Sequence, residues 1–297
     1  MLDFIIIGGG TAGLSAAVYA CRANKKTLVL EREAFGGQIV DAPLVENYPG
    51  IKNISGAQLA SDLFDQAESA GASFKCETVT SVVAGDKSVA VTTDEGKYEA
   101  KAVIIAAGCE HRRLGLSREE ALIGAGISYC ALCDGAFFKD KTVAVVGGGN
   151  AAFTDALYLA SVAKLVYIVH RRDEFRAEQA LIDRAAELNT IRFVKNAVVK
   201  ELIGDSELTA IKLGTESGSE KTIDVDGLFV AIGQQPDNGA FGVALDDAGY
   251  ILADEQCRTS VKRVYAAGDC RQKTVRQLAT AAADGAIAVS VALKEWF

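Results

Sequence analysis

The chain has 297 residues, 49% of them hydrophobic and 24% charged, a composition that fits a soluble globular protein of about two domains. Its formal net charge of −8, without any run of Lys and Arg, excludes the basic footprint of a nucleic-acid binder. With three prolines and no low-complexity tract it has no long disordered linker, and its longest apolar stretch, 278–293, is Ala-rich and broken by Asp284-Gly285, which reads as a buried helix and not a membrane span.

In chain order, the opening residues carry an acid, Asp3, where the basic region of a secretory leader belongs, so a cytoplasmic protein is expected. Residues 4–7 (Phe-Ile-Ile-Ile) predict a short apolar strand. Gly8-Gly9-Gly10-Thr11-Ala12-Gly13 follows, then a helical run to about Ala23, then a second strand, Thr27–Glu31, ending in an acid. Strand, glycine loop, helix, strand and acid together form the dinucleotide-binding fingerprint. Gly8 permits the tight turn, Gly10 lets backbone approach a pyrophosphate, and Gly13 lets helix and strand pack closely. The helix N-terminus offers N–H groups to phosphate, and Glu31 can accept hydrogen bonds from ribose hydroxyls.

Residues 79–100 alternate in β fashion and lead to Val103-Ile-Ile-Ala-Ala-Gly108. His111-Arg112-Arg113 comes next and reads as an exposed part of an interdomain connection. Cys130-Ala-Leu-Cys133-Asp134 then stands fourteen residues before a second glycine loop. A lone Cys-x-x-Cys is either half a metal site or a redox pair. The other five cysteines are isolated and the two histidines lack ligand spacing, so no metal site is expected and those five read as buried small hydrophobes. A dithiol between two nucleotide sites suggests electrons passing between cofactors and out through the pair.

The first fingerprint recurs 139 residues on, with Thr142–Val146 as strand, Gly147, Gly149 and Ala152 in the places of Gly8, Gly10 and Gly13, a helix to about Ala163, and Leu165–Val169 as the next strand. In the slot of Glu31 stands His170, opening the run His170-Arg171-Arg172 and followed by Arg176. An acid there binds a ribose diol and repels a 2′-phosphate, and a basic cluster does the reverse. The first loop therefore suits the adenosine of FAD or NAD and the second suits NADPH. One charge-assisted hydrogen bond, roughly 1.5–3 kcal/mol, favours NADPH over NADH by about tenfold or more.

Residues 191–226 again have β character and lead to Leu228–Gly233, after which Gln234–Gly239 reads as a linker. Arg263–Asp269 predicts a strand ending in Gly268-Asp269, before a long helix from about Val275 to Trp296. An acid at that point can bind a flavin's ribityl hydroxyl, and the helix start near Arg276 and Gln277 can stabilise negative charge on a reduced flavin. The expected fold is α/β, with two Rossmann-like FAD/NAD(P)-binding domains, each a parallel sheet with a β-meander crossover. The second is inserted into the first, giving a first FAD-domain part at 1–113, an NADPH domain with the cysteine pair at 114–240, and a second FAD-domain part at 241–297.

Gly8-x-Gly-x-x-Gly13, Gly36-Gly37-Gln38, Glu46-Asn47-Tyr48-Pro49-Gly50, Cys130-x-x-Cys133-Asp134-Gly135, Gly147-x-Gly-x-x-Ala152, His170-Arg-Arg-x-x-x-Arg176 and Gly268-Asp269, in this order, resemble the low-molecular-weight thioredoxin reductases, and the resemblance covers the whole chain. It implies FAD held by Gly8, Gly10, Ala12, Gly13, Glu31, Gly37, Gln38, Asn47, Gly268, Asp269, Arg276, Gln277 and Leu278. It implies NADPH held by Gly149, Asn150, Ala151, Ala152, His170, Arg171, Arg172 and Arg176. It also implies a homodimer, thioredoxin or a thioredoxin-like protein as partner, and domain rotation during turnover. Cys133 would face the flavin, Cys130 would be the more exposed thiol that attacks the partner, and Asp134 would be the acid. The chain departs from the family pattern at Ala151, where Ser or Thr is usual, at Thr154-Asp155, where two acids are common, and at Ala136, where some members place an aromatic at once.

Other occupants of this scaffold fit less well. Dithiol oxidases follow the pair with His, where this chain has Asp134. Ferredoxin-driven flavin thioredoxin reductases lack the NADPH signature, and ferredoxin–NADP reductases lack the cysteines. A flavin-bound redox sensor would need no fast reduction by NADPH.

Overall fold

A computed structural model of the protein describes residues 1–215 and 218–297. In chain order its elements are β1 (Leu2–Ile7), α1 (Thr11–Arg22), β2 (Thr27–Glu31), α2 (Gly56–Ser69), β3 (Ser73–Cys76), β4 (Val79–Ala84), β5 (Val89–Thr93), β6 (Lys97–Ile105), β7 (Glu110–His111), β8 (Ile127–Ser128), α3 (Ala131–Asp134), β9 (Thr142–Val146), α4 (Asn150–Leu159), β10 (Leu165–Val169), α5 (Gln179–Ala186), β11 (Ile191–Val194), β12 (Ala197–Ile203), β13 (Ala210–Thr215), β14 (Glu220–Asp224), β15 (Gly227–Val230), β16 (Gln234–Gln235), β17 (Val264–Ala266) and α6 (Leu278–Trp296). They form two compact units, one of residues Met1–Glu110 and Gln235–Phe297, the other of His111–Gln234.

The first unit is built on a sheet in the order β3-β2-β1-β6-β5-β4, with β17 also paired to β6. β1, β2, β3, β6 and β17 run parallel, whereas β4, β5 and β6 form the antiparallel meander. The apolar run Phe4–Ile7 within β1 follows from burial on both faces. Phe4 and Ile6 pack with Leu14, Ala17, Ala288 and Val289 of α1 and α6, while Ile5 and Ile7 pack with Val82, Val89 and Val91 of the meander. α6 is rich in Ala because it lies close on α1: a side chain at Gly285 would run into the Ala12 carbonyl. Among the described residues no helix is long and apolar enough to cross a membrane.

The second unit repeats the plan with a parallel sheet, β11-β10-β9-β15-β8, and a separate antiparallel sheet, β12-β13-β14. Val143 and Val145 of β9 face Phe153, Ala156 and Leu159 of α4, whereas Ala144 and Val146 face Val199, Leu202, Ile211 and Leu213 of the antiparallel sheet. The β-rich stretch 191–226 thus contains α/β sheet edge and meander both; its residues 216 and 217 lie outside the described residues. α4 ends at Leu159, four residues short of the helix expected from sequence.

Of the stretch Gln234–Gly239, which composition marks as linker, residues 235–239 pack in the first unit. Asn238 is 2% exposed, and its amide donates to the carbonyls of Gly249 (2.9 Å) and Cys270 (3.0 Å). A polar Pro-Asp-Asn-Gly run resembles a loop whether or not its Asn is buried, which is why the boundary reads late in the sequence. Residues 111–113 belong to the second unit. That unit starts and ends side by side: the Arg112 N–H donates to the Gly233 carbonyl at 3.0 Å, and the Gln234 amide meets the His111 ring.

Candidate functional site

The first glycine loop joins β1 to α1. Gly8 has φ +107°, and a side chain there would strike the Ala106 carbonyl; one at Gly13 would strike the carbonyl of Gly8. The loop is braced from β2. Glu31 accepts the Gly9 N–H at 2.7 Å with one oxygen and the Arg32 and Glu33 N–H groups (2.8 and 3.1 Å) with the other. Gly10 precedes α1 in extended conformation, and Ala12 and Gly13 are buried in its first turn.

The other residues implied for this site gather around the loop. Gly37 and Gln38 open a short 3₁₀ turn, Gly37–Asp41, and the Gln38 amide donates to the Cys109 carbonyl. Asn47 donates to the Gln277 side chain at 3.3 Å. Gly268 abuts Ala12, since a Cβ on it would come within 2.8 Å of the Ala12 Cβ. Gln277 caps α6 in a reciprocal pair with Thr280, and Leu278 is its first residue.

Among the described residues, Asp269 Oδ1 and Arg276 Nε are buried without a hydrogen-bond partner. Buried polar atoms are almost always satisfied, and the exceptions call for a ligand or a function. Burial holds the Asp269 carboxyl above its ordinary range, against the pull of Lys273 and Arg276. A hydroxyl-rich, anionic dinucleotide offers partners for both atoms, so the residues present fit such a group. Sequence reasoning missed Asp284. It is 4% exposed in α6 and accepts the Gly268 N–H (3.0 Å), Arg271 (2.9 and 2.8 Å) and Lys273 (2.9 Å). The signal was an acid inside an Ala-rich helix.

In the second unit Gly149 caps α4, and a side chain on it would meet nothing within 4 Å, which leaves room for a ligand over the helix start. Asn150 is occupied on both sides by Glu178, donating to its carboxylate (2.9 Å) and accepting its N–H (2.8 Å). Ala151 is exposed and Ala152 buried. Arg171 and Arg172 line a cavity of about 330 Å³ with Asn196, Val198 and Gly214. Arg176 is exposed, and its backbone N–H donates to the Gly148 carbonyl at 2.7 Å. His170 is placed differently: it is 6% exposed, and its Nε2 lies 3.2 Å from the Glu174 carbonyl.

Cys130 and Cys133 are joined as a disulfide. Cys130 caps α3, its sulfur accepting the Cys133 N–H at 3.2 Å, and its own N–H donates to the Ser128 hydroxyl at 3.0 Å. The Ser128 hydroxyl donates to Asp134 at 2.6 Å. Burial nevertheless raises the Asp134 carboxyl above its ordinary range. The exposures reverse the expected ranking: Cys133 is exposed and Cys130 half-buried, because Cys130 follows the buried strand β8 and is tied to Ser128. Phe138 packs edge-on to Phe229 and over Gly227, so it belongs to the core, whereas Leu132 and Phe137 are exposed (57% and 36%).

His111, expected at the surface, stacks on Tyr129 with ring centroids 5.0 Å apart, while Arg112 and Arg113 are exposed as expected. The Tyr129 hydroxyl donates to Glu119, a 3% exposed carboxylate that also accepts the Leu114 and Gly115 N–H groups (2.8 Å each). Neither Glu119 nor Tyr129 could be singled out from spacing, since the link joins a turn to the bend just after β8.

Two dinucleotide loops on separate α/β units and one redox disulfide define a nucleotide-dependent disulfide oxidoreductase. Residues 2–285 match the family model for pyridine nucleotide-disulphide oxidoreductases, and the chain belongs to that family. It is similar to the thioredoxin reductases of Listeria monocytogenes serovar 1/2a (46% identity over 291 residues, 96% of this chain and 91% of that one) and Bacillus subtilis strain 168 (42% over 295 residues, 96% and 92%). Among solved structures it resembles the thioredoxin reductase of Streptococcus pyogenes MGAS5005, with TM-score 0.95, 39% identity, and 99% and 97% of the two chains covered. The protein is a flavoprotein disulfide reductase, and its family membership brings a flavin and a nicotinamide cofactor.

Proposed function

We propose that the protein is a cytoplasmic, homodimeric NADPH-dependent thioredoxin reductase that uses FAD and the Cys130–Cys133 pair to reduce thioredoxin or a thioredoxin-like protein. The observation that supports it best is the formed disulfide in the same unit as a nucleotide loop flanked by Arg171 and Arg172. When bound, NADPH and FAD supply a hydride donor and a two-electron relay.

The chain's own residues do the rest. Gly8, Gly10, Ala12, Gly13, Glu31, Gly37, Gln38, Asn47, Gly268, Asp269, Arg276, Gln277 and Leu278 hold FAD, with the unsatisfied Asp269 Oδ1 and Arg276 Nε as polar anchors. Gly149, Asn150, Ala151, Ala152 and the basic run hold NADPH, with Arg171 and Arg172 at the 2′-phosphate.

Two electrons and two protons convert the Cys130–Cys133 disulfide to two thiols. The sulfur that attacks the partner's disulfide is the Cys130 thiolate, although Cys130 is the half-buried member of the pair in the disulfide form, where its sulfur accepts the Cys133 N–H; the partner's S–S bond breaks and a mixed disulfide forms. Cys133 then attacks the Cys130 sulfur, re-forming the internal disulfide and releasing the partner as a dithiol. Asp134 is the proton donor to the departing thiolate, since burial keeps its carboxyl protonated to higher pH than an exposed Asp.

Anaerobic titration with NADPH and then NADH, followed by candidate thioredoxins, tests the reading. The flavin should bleach with NADPH at lower concentration than with NADH and recolour on adding oxidised thioredoxin. Cys130→Ser and Cys133→Ser should each keep flavin and lose thioredoxin turnover. Full turnover in either variant would sink the assignment.

A further inference from the structure

The two nucleotide loops are copies, and the structure shows what the residue in the variable slot does in each. In the first copy Glu31 reaches back to the middle glycine, accepting the Gly9 N–H at 2.7 Å. In the second copy His170 occupies the same slot and also reaches back to the middle glycine. A Cβ built on Gly148 would fall 2.7 Å from His170 Nε2 and closer still to Cε1 and Nδ1, so the ring fills the space that any side chain there would need.

The loop that follows each slot makes a second matching contact. The Gly9 carbonyl accepts the Gly36 N–H (2.9 Å), and the Gly148 carbonyl accepts the Arg176 and Ala177 N–H groups (2.7 and 3.1 Å). His170 sits inside this second arrangement, with Nε2 on the Glu174 carbonyl (3.2 Å) and the Phe175 ring centroid 5.3 Å away. The cavity lined by Arg171 and Arg172 includes neither His170 nor a residue of the Gly147–Ala152 loop.

We propose that His170 is a positioning residue that braces the middle glycine of the nicotinamide-nucleotide loop, leaving recognition of the 2′-phosphate to the neighbouring arginines. The proposal deepens the NADPH reading above and rests on it. Its physical basis is that the ring is enclosed by Gly148, Glu174 and Phe175. Burial favours its neutral form, aided by Arg176, Arg171 and Arg172 and opposed by the Glu174 carbonyl, and the balance lies towards neutral. The glycine loop and helix start face the pyrophosphate, which NADPH and NADH share. Loss of the brace therefore weakens both nucleotides, whereas loss of an arginine at the cavity weakens NADPH alone.

The test uses the oxidised holoprotein, with 2′,5′-ADP and 5′-AMP binding measured by calorimetry and kcat/KM measured for NADPH and NADH. His170→Ala should weaken both members of each pair by a similar factor, roughly tenfold, leaving the NADPH:NADH ratio within about twofold of the parent. His170→Phe keeps a ring against Gly148 and should recover most of the binding. Arg171→Ala should lower 2′,5′-ADP and NADPH about tenfold and spare 5′-AMP and NADH. A His170→Ala or His170→Phe protein that loses its preference for 2′,5′-ADP while holding 5′-AMP as before would overturn the proposal. Should His170→Ala not fold, the His170→Phe ratio decides alone. Failure of NADPH to bleach the parent's flavin would count against the enzyme reading, and the calorimetric ratio still judges the brace.

Discussion

Asp284→Ala should be the most destabilising single change in the first unit outside its apolar core. The carboxylate is 4% exposed, and its partners Arg271 and Lys273 have side chains only 11% and 8% exposed. Removing it leaves two buried cations facing each other and the Gly268 N–H without an acceptor. Breaking a buried pair by deleting one partner costs about 3–5 kcal/mol. Lys273→Met leaves the two-point Arg271–Asp284 contact intact and removes one hydrogen bond to a charged group, about 1.5–3 kcal/mol. Asp284→Ala should therefore be the worse of the two by a clear margin.

Urea unfolding reads this directly through the chain's one tryptophan, Trp296, which lies in α6 and so reports on the first unit. The sign with pH follows from the carboxyl. Burial alone would raise it, but the hydrogen bonds from Arg271 and Lys273 prevail and hold it below the ordinary 3.8. A depressed acid contributes its stability in full above the unfolded value and loses it as pH falls through the folded one. The gap between parent and Asp284→Ala should thus be constant at neutral pH and begin to close only below pH 3.8. A loss of under about 1 kcal/mol, or one equal to that of Lys273→Met, would refute the argument.

Two further predictions concern the sulfurs and their acid. Ser128→Ala removes the hydrogen bond that opposes burial at Asp134, so the high-pH limb of the kcat/KM profile, where the donor loses its proton, should move to higher pH. An unmoved or downward limb would separate Asp134 from the proton transfer. Of the five free cysteines, only Cys76 is exposed, while burial pushes the Cys109, Cys257 and Cys270 thiols up to about 12. A thiol reagent added to the oxidised native protein should titrate Cys76 fast, the half-buried Cys21 more slowly, and the three buried thiols only on unfolding. A fast phase that survives Cys76→Ser would contradict this.

The paired nucleotide units were legible in sequence because their signals are local: an apolar strand, a glycine turn and a helix start lie within a few residues of one another, and the second copy repeats the first at a fixed offset. β2, β9 and β10 have the bounds that their apolar runs suggest. What escaped notice depends on contacts between segments far apart in the chain. Asp284 is explained only by Arg271, Lys273 and Gly268 folding onto α6, and Asn238 only by Gly249 and Cys270. His170 was legible as occupying the slot of Glu31. That its ring turns back onto Gly148 depends on the Glu174–Ala177 turn, which no spacing rule describes. The exposure of Cys133 over Cys130 likewise turns on Ser128, a residue two positions before the motif.

The second unit enters and leaves the host chain at neighbouring points, with Arg112 bonded to Gly233. Such a segment behaves as a cassette. Cutting it out disturbs one doorway and not two, and joining its ends needs only a few added residues. A chain of this kind can acquire or exchange its inserted unit by a single insertion event, and the same geometry makes the unit portable to another host whose loop ends lie equally close.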